Sequence, residues 1–319
     1  MTSPRFRLIA PLGVFSAVAV LIYLDPLISG SIFQAGDIES WSLPWRTFLY
    51  TELVEHHTLP FWNPYVFCGV PSLANIAANL FYPPALLTIL SPSFGITLSI
   101  VFHHILGGLF TYLLCRSFEI SVPGAIIGGL IYSFSPSFFR SPLFFVSLPV
   151  DQTFAWYPLV LFSFKKAMDT PIHTKALRYA LLTGGIIAVQ ILAGYPQIAF
   201  FSQVGLLVFV LLSSLPLFSA RTFPVLTKRF VYLILAFVVG YSLPALQLLP
   251  TWELASLSTR AGGVSLETAG ARSLSPGTFF FTFLVMPGSP LVWLHGFPFA
   301  VGNLAGALFL LTGFFTVWP

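Results

Sequence analysis

Two carboxylates, Asp37 and Glu39, stand two residues apart in the run Gly36-Asp37-Ile38-Glu39-Ser40-Trp41. A carboxylate held beside a hydroxyl can remove its proton. A D-x-E pair can also hold a divalent cation through oxygen ligands, although such a pair is common enough by chance not to require one. Groups able to hold a phosphate follow: Arg46, the adjacent His56 and His57, and later Arg260. Cationic donors of this kind neutralise charge on a leaving phosphate oxygen. Trp62, Asn63 and Asn75 are of the types that stack on a sugar or hydrogen-bond to it. Gln197 and Glu253 stand at the ends of apolar runs farther along the chain. Each has a plainer reading. Asp37 can be a solvated carboxylate at the end of a span, and Glu39 a charge complementing a helix dipole. Trp41, Trp45 and Trp62 suit headgroup anchors. Asn63, Asn75 and Asn79 suit caps and turns, which is the favoured reading for Asn79, and His56-His57 suits a solvated pair.

The elements that must position these residues are membrane helices. The 319-residue chain is 56% hydrophobic and 17% aromatic, with 8% charged residues and a mean hydropathy of +0.89. Soluble domains carry about 25% charge, so this composition excludes a soluble enzyme, a nucleic-acid-binding module and a disordered tail. The net charge of +4 comes from scattered basic residues, which points away from nucleic acid and towards membrane orientation.

About 20 apolar residues cross a bilayer as a helix. Eight stretches meet or approach that length: 8–24, 96–115, 122–139, 143–164, 177–193, 198–217, 230–249 and 298–318. Two shorter ones flanked by proline, 80–91 and 277–287, read as re-entrant pieces. The fold class expected is therefore an all-α polytopic membrane bundle, one domain over 1–319. Its first span is 8–24, a long outer loop with interfacial helices covers 25–95, and the remaining spans cover 96–319. The chain closes at Pro319 directly after an apolar run and is expected to be the N-terminal part of a longer protein.

The basic residues orient the bundle. With Arg5 and Arg7 inside and alternation through eight spans, ten Lys and Arg fall on the inner face, against Arg46, Arg140, Arg260 and Arg272 outside, as the positive-inside rule requires. The expected location is thus the plasma membrane, multi-pass, with a cytoplasmic N-terminus. Asp37, Glu39, Glu52, Glu55, Asp151, Glu253 and Glu267 all fall outside, so the polar chemistry lies on the extracytoplasmic face. Within the outer loop, Ile38, Trp41, Trp45, Phe48, Leu49 and Leu53 recur with helical spacing. This predicts an interfacial helix with Arg46, Glu52 and Glu55 on its polar face.

Other features are read structurally. His103-His104 lies mid-span, and one of the two is expected to bond a neighbouring helix. Gly107-Gly108, Gly128-Gly129 and Gly184-Gly185 are expected to permit close helix packing. Cys68 and Cys115 fall on opposite faces, so no disulfide is expected between them.

The segment "PFWNPYVFCGVPSLANIAANLFYPP" following an early acidic residue resembles the YfhO-like family of bacterial membrane proteins, placed in the GT-C superfamily of polytopic glycosyltransferases. Gly194-Tyr195-Pro196-Gln197 and Leu249-Pro250-Thr251-Trp252-Glu253, with Ser258 and Arg260, are similar as well. Tyr195 stands where such families more often carry histidine. The resemblance implies transfer of a sugar from a polyprenyl-phosphate carrier, on the outer face, to a glycan or cell-wall acceptor. Asp37 matches the family's first-loop acid, with Glu39 its neighbour, and the partners implied are membrane lipids and the lipid-linked sugar. The cofactor is left unknown: a divalent cation on the D-x-E pair stays an open alternative, and no metal is assigned. Two rivals differ in kind: a transporter or flippase for a lipid-linked saccharide, and a non-catalytic assembly partner docking through the acid–tryptophan loop.

Overall fold

The computed structural model describes residues 6–32, 37–134, 147–215, 223–259, 261–263 and 265. Its elements are helical apart from one two-stranded ribbon. Helices α1 (Phe6–Ile22) and α2 (Leu24–Ser29) open the chain. The loop that follows carries wide helical turns at Ile38–Ser42 and Thr51–Glu55 on either side of α3 (Leu43–Tyr50). Strands β1 (Trp62–Asn63) and β2 (Val70–Pro71) then pair antiparallel, Trp62 opposite Pro71 and Asn63 opposite Val70. The bundle follows: α4 (Pro92–Ser117), α5 (Val122–Phe134), α6 (Leu148–Ala155), α7 (Tyr157–Asp169), α8 (His173–Leu192), α9 (Pro196–Ser214), α10 (Phe223–Ser242) and α11 (Ala245–Ser256).

Four of the described helices, α4, α8, α9 and α10, are long and apolar enough to cross a membrane. Residues 8–22 and α5 are apolar but shorter. Two of the expected spans are broken. The stretch 143–164 divides at Trp156 into α6 and α7, because Pro158 has no N–H to continue the ladder and the pattern restarts with the Val160 amide on the Trp156 carbonyl. The stretch 230–249 ends as a span at Ser242, and α11 begins after Pro244. The stretch 80–91 is a tight 3-10 turn, Pro83–Ile89, leading to α4. Residues 277–287 and 298–318 lie outside the described residues.

Local chemistry sets the ends of α4 and α9. Ser91 accepts from the Phe94 amide at 3.1 Å, with Pro92 in the first turn of α4. Gly194, at φ 97°, separates α8 from α9.

The helices meet where side chains are smallest. A Cβ on Gly129 would lie 2.5 Å from Phe15 and 2.7 Å from the Gly108 carbonyl. One on Gly184 would lie 2.8 Å from the Ala236 carbonyl. Helix α4 therefore approaches α1 and α5 closely, and α8 approaches α10. Gly185, by contrast, faces open space. The main apolar core joins α7, α8, α9 and α10 through Val160, Phe164, Ile187, Leu206 and Leu233.

The loop helix over 38–55 buries Ile38, Trp45, Phe48 and Leu49, as its pattern predicts. Arg46 departs from the pattern. Periodicity places it on the polar face, yet it is 3% exposed, because its guanidinium reaches the 76–78 turn, where Nη1 donates to the Ala78 carbonyl at 3.3 Å.

Candidate functional site

Asp37 is exposed, immediately ahead of the Ile38–Ser42 turn, and its side chain makes no capping hydrogen bond. Glu39 is exposed one step later. His56 is exposed and its Nδ1 lies 3.2 Å from Glu52 Oε1. Glu52 also accepts from the Thr58 hydroxyl at 2.6 Å. The Thr58 bond, then the His56 bond, holds the Glu52 carboxyl below its usual range. His57 is exposed in a left-handed backbone conformation, φ 56°. Trp62 is 56% exposed and lies over Gly69, where a Cβ would meet its ring at 2.6 Å.

Asn63 and Asn75 are where turn chemistry puts them. Asn63 Oδ1 accepts from the Tyr65 amide at 2.9 Å, and Asn75 Oδ1 caps Ala77 at 3.1 Å. Gln197 and Glu253 are exposed on the first turn of α9 and on α11. Arg260 lies outside the described residues.

The loop after α2, the turn between α8 and α9, and α11 do meet, through residues other than the expected site residues. Asn79 Nδ2 donates to the Ala193 carbonyl, beside Gly194, at 2.5 Å. A Cβ on Gly194 would come within 2.8 Å of Asn79 Oδ1, so glycine is required there by contact as well as by φ. Gln247 Nε2 on α11 donates to the Leu73 carbonyl at 2.6 Å. The first loop is thereby tied to the turn after α8 and to α11.

Beneath the loop runs a buried polar chain. Asn79 Nδ2 also donates to Gln152 Oε1 at 2.7 Å, and Gln152 Nε2 donates to Ser99 Oγ at 2.9 Å. His103 Nδ1–H must donate to the Ser99 carbonyl at 2.6 Å, since a carbonyl only accepts. Neutral His103 then accepts from the Tyr82 hydroxyl on Nε2 at 2.5 Å, and Tyr82 accepts in turn from Trp156 Nε1–H at 2.7 Å. By the same reasoning His104 donates from Nδ1 to the Ser133 carbonyl at 2.7 Å and accepts from Tyr23 at 3.0 Å. The expectation that one histidine bonds a neighbouring helix holds for His104, which ties α4 to α5 and to the end of α1. His103 ties α4 to Tyr82 in the loop before it. Tyr82, Gln152 and Trp156 escaped the sequence reading; the signal available was polar residues recurring inside otherwise apolar runs.

Arg46 is the buried cation of the loop. Burial pushes its guanidinium down to about 10, with Tyr82 acting in the opposite direction. It stays charged at neutral pH. A small, shallow apolar depression lies nearby, lined by Leu49, Tyr50, Leu53, Asn79, Leu80, Ala85, Leu86, Thr88 and Ile89. None of Asp37, Glu39 and Glu253 lines it. Among the described residues no three His, Cys, Asp or Glu side chains gather as a metal site. Cys68 and Cys115 are both free thiols. Comparison with family models, with curated proteins and with solved structures gives no match.

Proposed function

We propose that this helical membrane protein is a GT-C-type glycosyltransferase. It moves a sugar from a polyprenyl-phosphate donor to an extracytoplasmic glycan or cell-wall acceptor, with Asp37 as the base that takes the acceptor hydroxyl proton and Glu39 beside it. The observation that supports this reading most is the pairing within one loop of two solvent-facing carboxylates, Asp37 and Glu39, with a buried cation, Arg46. Transfer with inversion needs both: a base open to the acceptor and a positive group for the departing phosphate. The loop is keyed to the bundle by Asn79 and Gln247, which supplies the fixed geometry that such a reaction demands. A lipid-borne donor arrives through the bilayer and needs no cytosolic nucleotide domain.

Replacing Asp37 by Asn keeps size and removes the base. The expected result is loss of glycan transfer with normal membrane insertion. Full transfer in Asp37→Asn sinks the catalytic assignment. Movement of labelled lipid-linked sugar across vesicles without a new glycosidic bond marks a transporter instead. Loss of a co-purifying partner alone marks a docking protein.

A further inference from the structure

The loop between α2 and α4 divides sharply in charge. Up to His57 it carries acids, Arg46 and two histidines; from Thr58 to Ser91 it has no charged residue and no histidine. The uncharged half is nevertheless far from buried. One face of the β1–β2 ribbon turns inward, with Asn63 buried and Val66 and Val70 packed towards Trp45 and Phe48. Leu59, Phe61, Trp62, Tyr65 and Phe67 are exposed, Tyr65 at 81% and Phe67 at 80%. Apolar patches of this kind mark interaction sites. Phe67 is also held against its backbone preference, at φ 52°. A bulky residue in the left-handed region is an outlier, whereas asparagine adopts it readily. At 80% exposure Phe67 draws little from contacts within the chain, so the strain is offset by something outside it.

Helix α11 presents a second such surface beside the first. Buried Gln247 ties it to the Leu73 carbonyl, two residues past the ribbon, and Leu248 packs on the same core as Ile76. On its other side Leu246, Leu249 and Trp252 are exposed, Trp252 at 80%. No charged residue occurs between Arg229 and Glu253. This surface continues the flank of a helix long and apolar enough to span. Val231, Ile234, Val238 and Tyr241 form the exposed stripe of α10, and exposed Leu243 carries it on to α11. Aliphatic residues along a helix and aromatic ones at its end follow the order of a bilayer, hydrocarbon first and headgroup boundary next. The helix expected to lie in that boundary, over 38–55, instead spends Trp45 and Phe48 on packing against Val66 and Val70.

We infer that the turn of the β1–β2 ribbon, with Tyr65 and Phe67, and the first turns of α11, with Leu246, Leu249 and Trp252, lie together in the headgroup–acyl boundary of the bilayer that α4, α8, α9 and α10 cross. The partner is a lipid surface, met by apolar area and not by charge. The ribbon pins the uncharged half of the loop to the membrane and leaves the charged half, Asp37 to His57, in water. The inference needs helices that span; it needs no glycosyl transfer.

The test uses the full chain in phosphatidylcholine vesicles, with a nitroxide on Cys68, the exposed thiol next to Phe67; Cys115 is buried. Power-saturation EPR compares collisions with oxygen, which concentrates in hydrocarbon, and with a water-soluble nickel chelate. The label on Cys68 should favour oxygen, and so should one on Leu249→Cys in a Cys68→Ser background. A label on Glu55→Cys in that background, on the exposed charged half, should favour nickel. Nickel preference at Cys68 or at Leu249 overturns the inference and leaves the ribbon a platform in water for a polymer or a protein. Oxygen preference at all three positions overturns the division of the loop. Phe67→Asn relieves the backbone, so its melting temperature in detergent should hold or rise. In vesicles it should lower the oxygen-to-nickel ratio at Cys68 by about twofold or more. A lowered melting temperature with an unchanged ratio makes Phe67 a packing residue and overturns its role as anchor. Adding phosphatidylglycerol should leave the ratios as they are, because apolar area holds the ribbon; oxygen preference that appears only with this anionic lipid overturns the apolar contact. These ratios are read without any transfer assay, so they stand or fall separately from the outcome of Asp37→Asn.

Discussion

The head and the base of the long loop between α2 and α4 are built from opposite materials. The head, with Asp37, Glu39, His56, His57 and Trp62, is exposed. Among the described residues only His56 of these five forms an ion pair. The base, with Arg46, Asn79 and Tyr82, is buried; Asn79 bonds Gln152, and through it Ser99, while Tyr82 bonds His103 and Trp156. A side chain surrounded by water can exchange protons and meet a polymer, but it has no fixed position of its own. A buried, bonded side chain has a fixed position but no access to solvent. Stacking the two in one loop lets the base supply geometry to the head.

Two substitutions test that division, and they should fail in opposite ways. Asp37→Asn should cut glycan transfer by about 10²- to 10⁴-fold, the range for a lost general base, while thermal stability stays within about 0.5 kcal/mol. Tyr82→Phe removes a hydroxyl that donates to His103 and accepts from Trp156. It leaves the buried His103 Nε2 and the half-buried Trp156 N–H without this partner, at a cost of about 1–3 kcal/mol. Thermal unfolding in detergent should register this as a clear loss of stability. A stability loss in Asp37→Asn, or none in Tyr82→Phe, erases the contrast between head and base.

The base stands on helices whose closest approaches are made at glycine. Gly129→Ala must push Phe15 and the Gly108 backbone apart, and overpacking of this kind costs about 1–3 kcal/mol. Gly185→Ala adds a methyl to open space and gains about 0.5–1 kcal/mol of helix propensity. Unfolding measurements on the pair should therefore differ in sign. Equal effects mean that close packing of α4 on α5 is not what holds the bundle under the loop.

Much of the scaffold was legible in the sequence because apolar length is a strong local signal. The runs that become α4, α8, α9 and α10 were visible as spans, as was the periodic burial of Ile38, Trp45, Phe48 and Leu49. The breaks at Trp156 and before α11 were harder to read, since Pro158 and Pro244 each sit in hydropathy that continues past them. The polar chain was the least legible. Asn79, Gln152 and His103 lie far apart in sequence, and their pairing depends on helices meeting, which no local spacing encodes. Asn79 shows the difficulty in one residue. Its turn role was evident and is realised at φ 55°, whereas its side chain bonds residues 73 and 114 positions away. Arg46 differs for a related reason: periodicity assigns a face, but the 76–78 turn that meets its guanidinium decides whether it reaches water.

The smallest effect sharpens the comparison at the rim of the head. Glu52 accepts from Thr58 and His56, and these bonds to its charged form lower its carboxyl from an ordinary value of 4.5. A carboxyl lowered by folding contributes stability above the unfolded value and loses it as pH falls through the folded one. Wild type and Glu52→Gln should thus differ by a small constant amount near neutral pH. The difference should shrink to nothing as the carboxyl is protonated, from about pH 5 downward. Melting curves of both proteins across that interval measure it. Because Glu52 closes the turn that carries His56 and His57, a gap that instead persists into acid would mean that the turn is held by packing alone, and the head would then share the construction of the base.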